Sequence, residues 1–172
     1  MKLTFRPLDL KLKHTFQIAR ETRTIQNNVI VLLQDNDEVV GLGEAAPTSY
    51  FGEDVHSVTS VLAQSADLLS HSDPFQIEDI TNRLKNEFPE SAAARASIDI
   101  ALHDIIGKKL KIPLYRLLGL NRPESKTTSF TIGIDTLEKM GKKVEEAKDF
   151  PLLKIKVGFK DDIEILRELR KM

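Results

Sequence analysis

Apolar and polar positions alternate along parts of the first 46 residues, as they do in strands with one buried face. Leu8, Leu10 and Leu12 interleave with Asp9, Lys11 and Lys13, so residues 2–12 read as a strand. Residues 28–33 are mainly β-branched and apolar, Asp35-Asn36-Asp37 supplies turn chemistry, and residues 38–45 return as an antiparallel partner. Residues 15–27, in between, are polar and too irregular to assign to a strand.

From Asp54 the period changes to that of a helix. Val55, Val58, Val61, Leu62 and Leu68-Leu69 mark a first helix that breaks before Pro74. Residues 75–88 form a second, with Ile77, Ile80 and Leu84 on one stripe. Residues 91–110 form the strongest, with Ala94, Ile98, Ala101, Leu102 and Ile105 at helical spacing. Pro113 opens a short turn that ends in Leu117-Leu118-Gly119, where Gly119 suits a C-terminal cap.

Beyond Gly119 the order becomes strand (125–134), helix (135–148), strand (152–158), helix (161–172). That alternation implies parallel strands with crossover helices. Two such units neither close a barrel nor cover both faces of a sheet, so the sequence is expected to stop inside a fold. The expected boundary lies near residues 119–126, separating residues 1–119 from 120–172.

The 172 residues are 41% hydrophobic, enough for a real core. Twenty-five basic residues against 26 acidic ones give a formal charge of -1, with no basic stripe. Nucleic acid and anionic membranes are therefore not expected partners. Cysteine is absent, which excludes disulfides and thiolate chemistry and suits a reducing cytosol. The first 13 residues hold no uninterrupted apolar block, so neither a signal peptide nor a membrane span is expected there, and a soluble cytoplasmic protein is.

The chemistry concentrates in Leu152-Leu153-Lys154-Ile155-Lys156-Val157-Gly158. Residues two apart on a strand share a face, so Lys154 and Lys156 are neighbours while Leu153, Ile155 and Val157 face the other way. In a parallel barrel the apolar face meets the helices and both lysines point inward. Two confined ammonium groups repel, which favours the neutral amine on one of them, the form a general base needs. The C-terminal ends of barrel strands are also where such folds carry reactive groups. A solvated Lys-x-Lys face is the plainer alternative.

Three ordered blocks carry a family resemblance. The run Ala92-Ala93-Ala94-Arg95-Ala96-Ser97-Ile98-Asp99-Ile100-Ala101-Leu102-His103-Asp104-Ile105-Ile106-Gly107-Lys108, followed by Ile112-Pro113-Leu114 and Leu117-Leu118-Gly119, resembles the helix closing the capping domain of the muconate lactonizing subgroup of the enolase superfamily. Gly41-Leu42-Gly43-Glu44-Ala45-Ala46-Pro47 resembles the strand and mobile loop upstream of it, and the Lys-x-Lys strand completes the order. The resemblance implies an α+β capping domain (antiparallel sheet plus helical bundle) followed by the first two βα units of a (β/α)₇β TIM barrel. It also implies Lys156 as the acid/base on one substrate face and Lys154 as its neighbour, neutralising the substrate carboxylate. A Mg²⁺ ion held by three carboxylates on later strands would stabilise an enediolate, with a further lysine opposite. The sequence ends before those strands. Metal ligands are therefore expected beyond Met172, and the chain alone is expected to bind no catalytic magnesium and to be inactive; Asp161, Asp162, Glu164 and Glu168 belong to the last helix.

Within that resemblance, Ile18-Ala19-Arg20-Glu21-Thr22-Arg23 is similar to the specificity loop of Ala-Glu epimerases. Arg23, with Arg20 as the near alternative, is implied to pair with the distal carboxylate of a dipeptide such as L-Ala-D/L-Glu. Thr131 matches a substrate-contacting threonine, and Tyr50-Phe51-Gly52-Glu53 looks like a second loop that closes over the site. The four histidines, the Gly41-x-Gly43 pair and the Lys142-Lys143 run carry no assigned chemistry. Other enzymes of the subgroup (an N-acylamino acid racemase, an o-succinylbenzoate synthase, a muconate cycloisomerase) remain alternatives. So does a non-catalytic remnant that self-associates as a homo-oligomer through exposed parallel edges.

Overall fold

The computed structural model describes residues 1–121, 126–158 and 160–172. Its elements are β1 (Lys2–Ile18), β2 (Glu21–Gln34), β3 (Val40–Ala45), α1 (Val55–Ser70), α2 (Ile77–Glu87), α3 (Ala92–Leu110), α4 (Leu114–Leu117), β4 (Ser129–Ile132), α5 (Leu137–Glu146), β5 (Leu152–Ile155) and α6 (Asp162–Leu169). The expected strand start at residue 125, and residues 122–125 of the expected boundary, lie outside the described residues.

The polar stretch 15–27 is strand after all. β1 and β2 form one long hairpin turning at Ala19-Arg20, in a sheet of order β1-β2-β3. Its outer half includes Thr15, Ile18, Thr22, Thr24 and Ile25, whose β-branched side chains favour extended backbone although few of them face a core. Local hydrophobicity missed it because the stretch is ordered by cross-strand pairing.

The chain divides into two compact units: Met1–Leu10 with Asn27–Pro123, and Lys11–Gln26 with Glu124–Met172. In the first, β2 and β3 pair antiparallel in the register Val29↔Ala45, Val31↔Gly43 and Leu33↔Gly41. Val29, Val31, Leu33 and Ala45 are fully buried beside Val58, Leu62, Leu69, Ile80, Leu84, Ile98, Ala101, Leu102 and Ile105 from α1, α2 and α3. Gly41 and Gly43 exist for close approach. A Cβ at Gly43 would lie 1.9 Å from the Ser97 carbonyl oxygen, and one at Gly41 would lie 2.1 Å from that of Ala101. The α3 backbone thus lies directly on β3, and the Asp104 carboxylate accepts from the Leu42 N–H at 2.9 Å.

Asp54 caps α1 in a reciprocal capping box with Ser57. Gly119 adopts φ 72° just past α4, as expected for a helix-ending glycine. Among the described residues no helix is long and apolar enough to cross a membrane.

In the second unit β4 and β5 pair in parallel, in the register Ser129↔Leu152, Phe130↔Leu153, Thr131↔Lys154 and Ile132↔Ile155. Ile132, Met140, Ala147 and Leu169 form its buried centre, with Phe130, Leu137, Val144, Ile155 and Ile165 packed around them. Helices α5 and α6 therefore cover one sheet face. Thr136 caps α5 by accepting from the Lys139 N–H.

Candidate functional site

Strand alternation decides which side chains leave the helical face. Phe130, Ile132 and Ile155 pack toward α5 and α6, so Thr131 and Lys154 lie on the opposite face of the two-stranded sheet. Thr131 and Lys154 are register partners, side by side across the pair. Lys154 is exposed and Lys156, just past the end of β5, is half-buried. The Lys156 N–H donates to the Ile132 carbonyl at 2.9 Å, which fixes its backbone at the C-terminal ends of both strands.

The hairpin tip meets those same ends. The Ile134 N–H donates to the Gln17 carbonyl at 2.8 Å, and a Cβ at Gly133 would lie 3.1 Å from the Gln17 backbone. At Gly158, after β5, a Cβ would lie 2.9 Å from that of Ala19. Glycine at both positions lets the tip sit against the strand ends without displacement.

A cavity of about 650 Å³ opens between the hairpin and β4. Arg23 and Thr131 both line it, together with His14, Phe130, Lys143 and Phe150. Its size and mixed apolar and charged walls suit a small organic ligand. Lys154 and Lys156 are not on its wall; Lys154 neighbours it as the register partner of Thr131.

Arg23 is held from two sides. Its Nη2 lies 2.6 Å and 2.8 Å from the two Glu21 carboxylate oxygens, and its Nη1 donates to the Gln26 side-chain oxygen at 2.5 Å. The burial alternation of β2 slips by one between Thr24 and Ile25, which returns Gln26 to the side of Glu21 and Arg23. Neither Glu21 nor Gln26 is singled out by the family resemblance. The Glu21-x-Arg23 spacing was the available signal, since residues two apart on a strand share a face.

Other charges nearby are also paired. Glu146 accepts from Lys13 at 2.6 Å and lies 2.8 Å from His14 Nε2; Lys13 first and His14 second hold its carboxyl below the ordinary carboxylate value. Lys143, buried, donates to Asp135 at 2.9 Å. Burial pushes the Asp135 carboxyl up, but Lys143, the Thr136 N–H and Lys139 outweigh it, and the group lies below its usual range.

Tyr50 and Phe51 belong to the first unit, on a 3-10 turn at Ser49–Phe51 whose rings meet edge to face at 4.9 Å. Both are exposed, at 65% and 66%. Gly52 closes the turn with φ 73°, and the buried Glu53 ties it down by accepting from the Ala93 N–H at 2.8 Å. Among the described residues no group of three or more His, Asp or Glu side chains is arranged to hold a metal ion.

The profile of the "Mandelate racemase / muconate lactonizing enzyme, N-terminal domain" family matches residues 2–119. An L-Ala-D/L-Glu epimerase of Bacteroides thetaiotaomicron is 42% identical over 100% of this chain and 45% of its own length. An L-Ala-D/L-amino acid epimerase of a Maribacter species is 35% identical over 99% of this chain and 50% of its own. Among solved structures, a dipeptide epimerase of Enterococcus faecalis complexed with Mg and the dipeptide L-Leu-L-Tyr superposes with a TM-score of 0.89 at 31% identity, covering 98% of this chain and 49% of that one. The chain thus spans about half the length of the relatives it matches.

Proposed function

Because the chain belongs to the mandelate racemase / muconate lactonizing enzyme family, we propose that the whole protein is a dipeptide epimerase of the L-Ala-D/L-Glu kind, working by lysine-mediated removal of an α-proton. The observation that carries this reading is the common sheet face of Thr131 and Lys154, with the Lys156 backbone bonded to Ile132 at the strand ends where the hairpin bearing Arg23 arrives.

Each residue has a physical task. Lys156 takes the proton from the substrate α-carbon at its Nζ. Negative charge then develops on the adjoining carboxylate, and the ammonium of Lys154 beside it stabilises that charge. The Thr131 hydroxyl donates a hydrogen bond that orients the substrate. Arg23 pairs with the carboxylate of an acidic second residue, a task suited to its planar fork. Tyr50 and Phe51, on their tethered turn, form the loop that excludes water. Residues 1–119 act as the capping domain and residues 120–172 open the catalytic domain.

The related dipeptide epimerase was solved with Mg bound, which supports Mg²⁺ as the cofactor of the whole protein. The described residues do not form a site for that ion, and the tasks assigned to them do not depend on its position.

The test is α-proton exchange of L-Ala-L-Glu in D₂O, followed by proton NMR with the full natural polypeptide and Mg²⁺. Exchange is expected, and Lys156→Ala is expected to slow it by about 10²–10⁴-fold. Undiminished exchange in that variant overturns the lysine assignment, and no exchange in the unaltered protein overturns the function.

A further inference from the structure

We propose that Glu21 sets how strongly the site selects acidic dipeptides, acting as the resident counter-ion with which a substrate carboxylate must share Arg23. This rests on the assignment of Arg23 to the substrate's distal side chain.

The Arg23 side chain is about three-quarters buried (25% exposure) and that of Glu21 nearly as much (28%), so water screens their charges only in part. Both Glu21 oxygens engage the same Nη2, while Gln26 takes Nη1. The fork is thereby fixed in orientation before any ligand arrives, which reduces the ordering cost of binding. Its charge is also largely cancelled before any ligand arrives.

The other basic side chains on the cavity wall are partnered in the same way. Lys13 and His14 share Glu146, and Lys143 is bound to Asp135. Lys13, Arg23 and Lys143 are therefore each paired with a carboxylate, and the wall does not present a bare positive field. A carboxylate approaching Arg23 is attracted by the guanidinium and repelled by Glu21 a few ångströms away. A neutral side chain feels neither strongly. Glu21 thus narrows the gap between acidic and neutral second residues and broadens the substrate class the cavity accepts.

The test measures steady-state epimerisation of L-Ala-L-Glu and its neutral isostere L-Ala-L-Gln by the full natural polypeptide and its variants. Glu21→Gln keeps an acceptor for Nη2 and removes the charge. It is expected to lower KM for L-Ala-L-Glu by about 3–10-fold, leaving KM for L-Ala-L-Gln and both kcat values unchanged. Glu21→Asp keeps the charge and is expected to keep the wild-type KM ratio, which guards against misfolding of the first variant. Equal KM changes on both substrates, a fall in both kcat values, or a Glu21→Asp ratio that moves like that of Glu21→Gln would mean a structural role and overturn the proposal. Arg23→Ala separates the two layers. A loss confined to L-Ala-L-Glu supports the Arg23 assignment whatever Glu21→Gln does. Equal losses on both dipeptides remove that assignment and this inference with it.

Discussion

Thr131 and Lys154 lie side by side across two parallel strands, on the sheet face turned away from α5 and α6. Neighbours in that register can both reach one small ligand group, such as the carboxylate of the proposed substrate. Thr131→Val preserves the shape and removes the hydroxyl. It is expected to raise KM for dipeptides by about 5–10-fold, the worth of one hydrogen bond, with the fold intact by circular dichroism. An unchanged KM would mean that Thr131 serves only the strand.

Gly43 and Gly52 have opposite reasons to be glycine, and the same substitution separates them. At Gly43 an alanine Cβ would lie 1.9 Å from the Ser97 carbonyl oxygen, so α3 must move off β3. Gly43→Ala is expected to destabilise by about 3 kcal/mol in denaturant titration. Gly52 has no atom within 4 Å of such a Cβ, but its φ is 73°. Gly52→Ala is expected to cost about 1 kcal/mol, all of it backbone strain.

Asp35 joins the β2–β3 turn to the end of α3. It is buried (3% side-chain exposure) and accepts from Lys109 at 2.5 Å and from the Val39 N–H at 2.9 Å. Burial alone pushes its carboxyl up, but Lys109 and the Val39 and Asp37 N–H groups outweigh it, leaving the group below its ordinary value. A carboxyl lowered by folding contributes stability above its unfolded value, near pH ~4, and loses it as pH falls through the folded one. Melting temperature is therefore expected to fall below pH ~4, and Asp35→Asn to flatten that acid limb while lowering stability at neutral pH. An acid limb unchanged in the variant would assign it to other carboxylates.

Glu53 replaces a missing helix cap. Ser91, at the N-cap of α3, makes no side-chain cap bond, whereas Glu53 accepts from the Ala93 N–H at 2.8 Å. Glu53→Ala is expected to cost about 1–2 kcal/mol and to release the Tyr50-Phe51 turn, read as faster amide exchange at residues 48–53. Glu53→Gln keeps an acceptor and is expected to retain most of both.

The sequence by itself determined the elements whose signal is local. The helical periods of α1, α2 and α3, the glycine ending α4 and the βα alternation after it follow from side-chain spacing and capping, which act within a few residues. Only the tertiary structure decided that residues 15–27 extend a hairpin, since cross-strand pairing orders them without a hydrophobic signal of their own. It also decided that Gly41 and Gly43 are bare because a helix backbone lies on them, and that Arg23 has Glu21 and Gln26 as resident partners. Such contacts depend on which backbones approach each other and where an alternation slips by one residue, and a one-dimensional pattern does not encode that distance.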